Sequence, residues 1–456
     1  MKIVITFSLA LCIFCSLAVF SDAATFGNFT YTDDGSSITI TDYPTNLGGP
    51  LSIPATIDGK AVTSIGYEAF RACTGLTSVS IPNGVTSIGN GAFFGCSDLT
   101  NVTIPSSVTS IGQDFGGIIG VFAECSSLAS VTIPNSVSFI GHYAFKNCFS
   151  LRNITIPSGV TSLGIYAFSG CTGLTSVSIP SGVTSLIGTF SGCTGLTSVS
   201  IPSSVTHIDY NAFDRCSGLT SVTIPSGVTS IGEFAFHDCT GLTSVSIPSS
   251  VTGIGTDAFS RCAGLMSVTI PSSVKSIADY AFNRCSGLTN ATFRGNAPTM
   301  GTDVFDQVND GFKVYFYDGK SGFALPTWRG YPTAVIYDRP EITILQPSNS
   351  NLLDGSSKKS LGSLLVGNKG LPKIFTIRNI GTKTLTGLVI KLDGLNTKDF
   401  IVTQPSKYSL VAGASTTFKV SFKPRAKGTR NAAIHVKSND ANESPFDIKL
   451  IGSGMK

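Results

Sequence analysis

Charge is what this chain has least of. Lys, Arg, Asp and Glu together make up 13% of its 456 residues, about half the usual share. The net charge of +4 comes with no run of Lys or Arg, which excludes the basic footprint of a nucleic-acid-binding protein. Histidine is scarcer still. His142, His207 and His237 fall at three different places in a repeat described below, and His435 lies well beyond it. No convergent metal ligands or acid–base pair follow from such a scatter. No serine is framed as G-x-S-x-G. The Gly-rich stretch Gly116-Gly117-Ile118-Ile119-Gly120 lacks the lysine and helix of a phosphate loop. No enzyme, no metal and no cofactor is therefore expected. Beyond the first 20 residues no apolar run is long enough to span a bilayer.

Those first residues read as an export signal. Lys2 precedes the apolar run Ile3 to Phe20, and Ser21-Asp22-Ala23 offers small residues for cleavage after Ala23. The run is long enough to remain as an anchor, but the small and polar residues that follow favour cleavage. The expectation is a signal peptide over 1–23 and a mature chain secreted or at the cell surface, without a membrane span.

Cysteine is abundant, and it recurs. Cys73, Cys96, Cys125, Cys148, Cys171, Cys193, Cys216, Cys239, Cys262 and Cys285 are 23 residues apart with two exceptions. Each sits in A-F-x-x-C-x-x-L-x-x-V-x-I-P-x-x-V-T-x-I-G, for example from Ala235-Phe236 through Cys239, Leu242, Val245, Ile247 and Pro248 to Ile254-Gly255. A fixed period in the low twenties marks a solenoid, whose units cannot bury their apolar side alone. In Leu242-Thr243-Ser244-Val245-Ser246-Ile247 the valine and isoleucine point in and the serines out. Stacked side chains point in parallel, not toward each other, so the spacing predicts a column of buried reduced thiols and no disulfides. Proline ends the strand in nine consecutive rungs. The residue two further on is always Gly or Ser, as expected of a turn needing unusual dihedrals or a side chain bonding its own backbone. The Ala-Phe-x-x-Cys segment is expected to turn back as one helical turn.

These residues resemble the BspA-like leucine-rich repeats of bacterial surface proteins over about 51–308. The asparagine ladder of ordinary leucine-rich repeats is replaced by Gly or Ser. Members of that family are secreted or surface-displayed and implicated in adhesion, so the resemblance implies a binding role while transferring no ligand.

Before the repeats, alternation around Asp33-Asp34-Gly35 predicts a β-hairpin cap over 24–50. About 12 rungs follow in a solenoid over 51–308, then an aromatic C-terminal cap and linker over 309–340. From Glu341 cysteine vanishes, lysine rises and short alternating strands begin, predicting a sandwich of about seven strands over 341–456. The motifs Asn379-Ile380-Gly381, Phe422-Lys423-Pro424 and Ser438-Asn439-Asp440 make 341–454 resemble immunoglobulin-like domains of the HYDIN and choice-of-anchor-D kind, which serve as spacers or interaction modules.

The fold class is thus mainly β, a capped solenoid followed by an immunoglobulin-like sandwich. Binding has to come from what varies. Outward sheet positions such as Ser244 and Ser246 form a monotonous hydroxyl carpet. The turn between Ile-Gly and Cys instead carries Tyr143, Tyr166, Phe234 and Tyr280, with Arg215, Arg261 and Arg284 just before cysteine. Aromatic and Arg residues favour interfaces. The plainer alternative has the tyrosines packing over the turn and the arginines solvated beside Asp238. Six extra residues interrupt one rung, making Gln113, Asp114, Phe115, Ile118 and Ile119 candidates too. The expected function is non-catalytic recognition of a protein or glycan at a cell surface. A purely structural envelope or matrix protein and a carbohydrate-binding accessory module are the alternatives.

Overall fold

The computed structural model describes residues 23–112 and 119–456. The expected signal peptide, except Ala23, lies outside them, as do Gln113, Asp114, Phe115 and Ile118 of the insertion. The chain forms two compact units, one of residues up to 291 with 298–312, the other of 292–297 with 313–456.

The first unit begins with the antiparallel strands Ala24–Phe26, Phe29–Asp33 and Ser37–Asp42. The third of these does more than close a hairpin. It pairs in parallel with Lys60–Ile65, setting Ile38 beside Val62 and Ile40 beside Ile65. It is therefore a coil of the solenoid itself, which has about 13 turns. Each turn has three sides. The first is a strand such as Leu76–Ser80, whose Val79 lies beside Val102 and whose Ser78 lies beside Asn101. Because all copies share one alternation, every valine faces the core and every hydroxyl faces water. The second side is a two-residue strand such as Ser230–Ile231, paired with Gly253–Ile254. The third is the turn carrying phenylalanine and cysteine.

Backbone accounting explains why that turn is not helical, as the sequence had suggested. Alternate N–H groups leave the rung: those of Tyr143, Phe145 and Asn147 donate to the carbonyls of Ile165, Ala167 and Ser169 on the next. Those between close four-residue turns, as Ala144 to Gly141 and Lys146 to Tyr143. An α-helix would keep all these donors inside one rung; the alternation spends half on stacking.

The Gly-or-Ser position after proline also differs from expectation. Its backbone is not left-handed; what decides is proximity. A Cβ at Gly182 or Gly227 would stand 2.9 Å from a carbonyl oxygen of the preceding rung. Serine tolerates that closeness by bonding: Ser136 and Ser204 donate to the carbonyls of Val108 and Val183 at 2.7 Å. The bond runs to the neighbouring rung, the service an asparagine ladder gives elsewhere.

Inside, phenylalanine rings stack face to face from Phe70 to Phe305, with centroids 5.0–5.7 Å apart. Phe29 and Tyr43 close one end of the column and Phe312 the other.

The second unit holds a β-sandwich. One sheet runs Ile342–Leu345, Lys373–Asn379, Ser415–Phe422, Phe400–Val402; the other runs Lys358–Leu365, Phe446–Met455, Gly428–Lys437, Val389–Asp393. That makes eight strands where about seven were expected. Between the sheets Phe375 stacks on Phe418, with Ile377, Val420, Ile434 and Ile448 around them. The sequence motifs turn out to be clamps. Buried Asn379 accepts from the Gly381 N–H and donates to the carbonyls of Lys383 and Leu410. A Cβ on Gly381 would strike the Arg339 carbonyl at 1.9 Å. Asp440 accepts from the Ile342 N–H and Asn439 from that of Thr386.

Candidate interaction edge

The turn puts two residues of the rung, typically the one before alanine and the one before cysteine, into the left-handed region, although Gly120 of the interrupted rung stays outside it. Where these are not glycine, φ lies between 50° and 64°. Glycine adopts that backbone freely, and Gly91, Gly95, Gly170, Gly188 and Gly192 do so here. Bulky residues adopt it at a cost of about 1–2 kcal/mol each. Tyr143, Tyr166, Phe234 and Tyr280 occupy the first position, Arg215, Arg261 and Arg284 the second. All seven therefore project from one edge of the stack, in two adjacent columns.

Within those columns the residues divide. Tyr143 and Tyr166 stack at 5.7 Å, Lys146 lies over the Tyr143 ring, and the Tyr166 hydroxyl accepts from Asn211. Gly188 makes room for this: a Cβ there would meet the Tyr166 ring at 2.4 Å. This pair is half-buried and packs along the stack. Ile119, the described end of the insertion, covers Gly91 in the same manner, 3.0 Å from where a Cβ would stand.

Further along, the side chains are freer. Phe234 meets Tyr210 and His237 edge to face, at 6.1 and 5.4 Å. His237 Nδ1 lies 2.8 Å from an Asp214 oxygen whose partner oxygen accepts from Ser191. Arg215, Arg261 and Arg284 are exposed, as are Tyr210 and Tyr280 at 46% and 39%. Tyr210, Asp214 and His237 were not singled out from sequence. A signal existed: Asp214 and His237 are one 23-residue period apart, hence neighbours on adjacent rungs.

The threonines just before the hydroxyl carpet bond along the stack. Thr100, Thr197, Thr243 and Thr289 donate to the carbonyl one rung back, at 3.0–3.1 Å. The thiols are bound likewise. Each cysteine from Cys96 to Cys285 donates its S–H to the phenylalanine carbonyl of the rung before, at 3.1–3.2 Å. All ten ladder cysteines are buried and free. Burial pushes the thiols of Cys73, Cys171 and Cys285 up to about 12, and those of Cys148, Cys193, Cys216 and Cys262 well above the ordinary range. A thiolate nucleophile or metal ligand is therefore disfavoured there.

The histidines are accounted for separately. His142 Nδ1 accepts from the Ile165 N–H, His207 meets Thr206, and His435 lies between Asp393 and Asp447. One acidic group had escaped the sequence reading because its members are about a hundred residues apart. Glu341, Asp440 and Glu443 bring carboxylate oxygens within 4.8 Å of one another. Arg339 pairs with Glu341 at 2.9 Å and with Asp318 at 2.7 Å, so the linker is tied down at both sides. That guanidinium, and the Asp440 bond to Ile342, already answer the charge a cation would. Burial, then Glu341 and Asp440, raises Glu443 to about 7.

Among the described residues no helix is long and apolar enough to cross a membrane. A family model described as BspA type leucine-rich repeat region matches residues 53–115, 119–220 and 208–314, and one described as HYDIN/CFA65/VesB-like, Ig-like domain matches 356–453. Among solved structures, a leucine-rich repeat protein from Bacteroides ovatus is 26% identical, covering 69% of this chain and 99% of its own with a TM-score of 0.43. A leucine-rich cell surface protein from Faecalibacterium prausnitzii is 29% identical, over 60% and 95%, with a TM-score of 0.33. The pneumococcal vaccine antigen PcpA is 22% identical, over 69% and 94%, with a TM-score of 0.45. No curated protein matches the chain.

Proposed function

Because the chain belongs to the BspA-type leucine-rich repeat family, we propose that it is a non-catalytic recognition protein, secreted or held at a cell surface, that binds a protein or glycan partner along the turn edge of its solenoid. In this reading residues 51–308 recognise, between the caps at 24–50 and 309–340, and 341–456 serve as spacer or attachment. The observation that carries it is the cost borne at that edge. Glycine would relieve the left-handed strain at Arg215, Phe234, Arg261, Tyr280 and Arg284, and the one ion pair recorded for these arginines, Arg215 with the adjacent Asp214 at 4.0 Å, is too long to justify it. Strain kept at the surface is better accounted for by contact with something outside. Tyr143 and Tyr166, which pack on each other, belong to the plainer structural role.

The test is an array of purified extracellular proteins and glycans probed with the full-length chain. The variant Arg215→Ala, Phe234→Ala, Arg261→Ala, Arg284→Ala should lose its binding at least tenfold with its thermal transition intact. Equal binding by the variant, or no binding by either, counts against the edge.

A further inference from the structure

Charge is distributed unevenly along the chain. Residues 341–456 hold 17 Lys and Arg against 7 Asp and Glu, while the rest holds 14 against 20. Within the sandwich the imbalance is polar. Four of its acidic residues, Glu341, Asp354, Asp440 and Glu443, lie at the end where the chain enters, around Ile342 and Asp447. The opposite end is formed by three loops and the last strand's end, bonded to each other. Gly367 N–H donates to Pro424 and Gly370 N–H to Phe422, at 2.8 and 2.9 Å, and the Arg425 Nε–H donates to Lys398 at 3.1 Å. Val366 N–H donates to Met455 and Asn396 N–H to Asn431.

This end presents the exposed cations Lys369, Lys398, Lys423, Arg425 and Lys427. Its one buried acid, Asp399, is already paired with Arg430. Between the cations stand the most exposed leucines of the described chain, Leu371 at 92% and Leu395 at 94%, with Leu365 and Val366 nearly half out. Nothing in the sandwich uses them: its core is complete without them. Apolar side chains on loop tips inside a ring of Lys and Arg suit the boundary of an anionic bilayer, where leucine enters the acyl region and the cations meet lipid phosphates. A protein interface would instead deplete lysine and supply aromatics.

We propose that this end of the sandwich is a peripheral docking surface for membranes rich in anionic phospholipid. It concerns a different face from the recognition edge and does not depend on that reading.

The test is co-sedimentation of the full-length chain with vesicles of phosphatidylcholine alone or mixed equimolar with phosphatidylglycerol. The chain should pellet at least tenfold better with the mixed vesicles. Lys369→Glu, Lys423→Glu, Lys427→Glu should abolish the preference, since each surface cation is worth about fivefold. Leu371→Ser, Leu395→Ser should weaken pelleting at least tenfold, and both variants should keep the wild-type thermal transition, the sites being exposed. No preference for phosphatidylglycerol overturns the proposal. Undiminished pelleting of the leucine variant also overturns it, by showing a site for polyanions in general.

Discussion

At the scale of single residues, the ladder cysteines are donors as much as fillers. Replacing Cys216 by alanine removes both a buried volume and the S–H held by the Phe190 carbonyl, for a loss of about 2 kcal/mol; the shift of the thermal transition measures it. Their protonation carries a larger consequence. For nine of these thiols the folded chain holds the proton well above the range in which the unfolded chain releases it. A group raised by folding stabilises below its unfolded value and loses that contribution as pH rises. Nine together make stability fall on the order of 10 kcal/mol per pH unit above about 9. A urea midpoint that collapses between pH 8 and pH 10 is the expected result; an unchanged one contradicts protonated burial. The left-handed edge gives the opposite experiment. Arg261→Gly and Arg284→Gly should each raise stability by about 1 kcal/mol, seen as a higher unfolding temperature, while weakening any partner that uses the edge.

At the scale of elements, the sandwich has its own pH dependence. His435 is raised first by Asp393 and then by Asp447. Glu443 is raised to about 7 by burial and by Glu341, Asp440 and Asp354, with Arg339 opposing. Both shifts are upward, so the Glu443 contribution is full below about 4.5 and gone above about 7, and the His435 contribution is lost as pH rises above 6.5. The sandwich transition should come at a lower temperature at pH 8 than at pH 5.5 in calorimetry, and Glu443→Gln should flatten that slope. Sequence reading could not have found this, because Glu341 and Glu443 meet only through the sandwich topology. What it could read was anything repeated. The strand alternation of Val245 and Ile247, the phenylalanine column and the thiol column are legible because one rung states them and the next restates them. The Ala-Phe-x-x-Cys turn was misread as helical for a physical reason: i to i+3 spacing looks the same whether alternate N–H groups bond within the rung or to the next. The Ser136 position was misjudged because closeness to a neighbouring carbonyl is a property of two rungs and not of one.

At the scale of the whole molecule, the solenoid is cohesive mainly between neighbours. Its backbone bonds join each rung to the one before and the one after, and the side-chain bond from Asn211 to the Tyr166 hydroxyl reaches across a single rung. This determines how the stack answers a pull. Drawn from its two ends, such a stack has no single yield point; the outermost coil peels away while those beneath keep their bonds. Each release pays out one period of chain, roughly 8 nm when extended. A single-molecule force trace should therefore show a train of even, low steps in place of one tall rupture. The tether would lengthen by small increments under load and rewind when the load is removed.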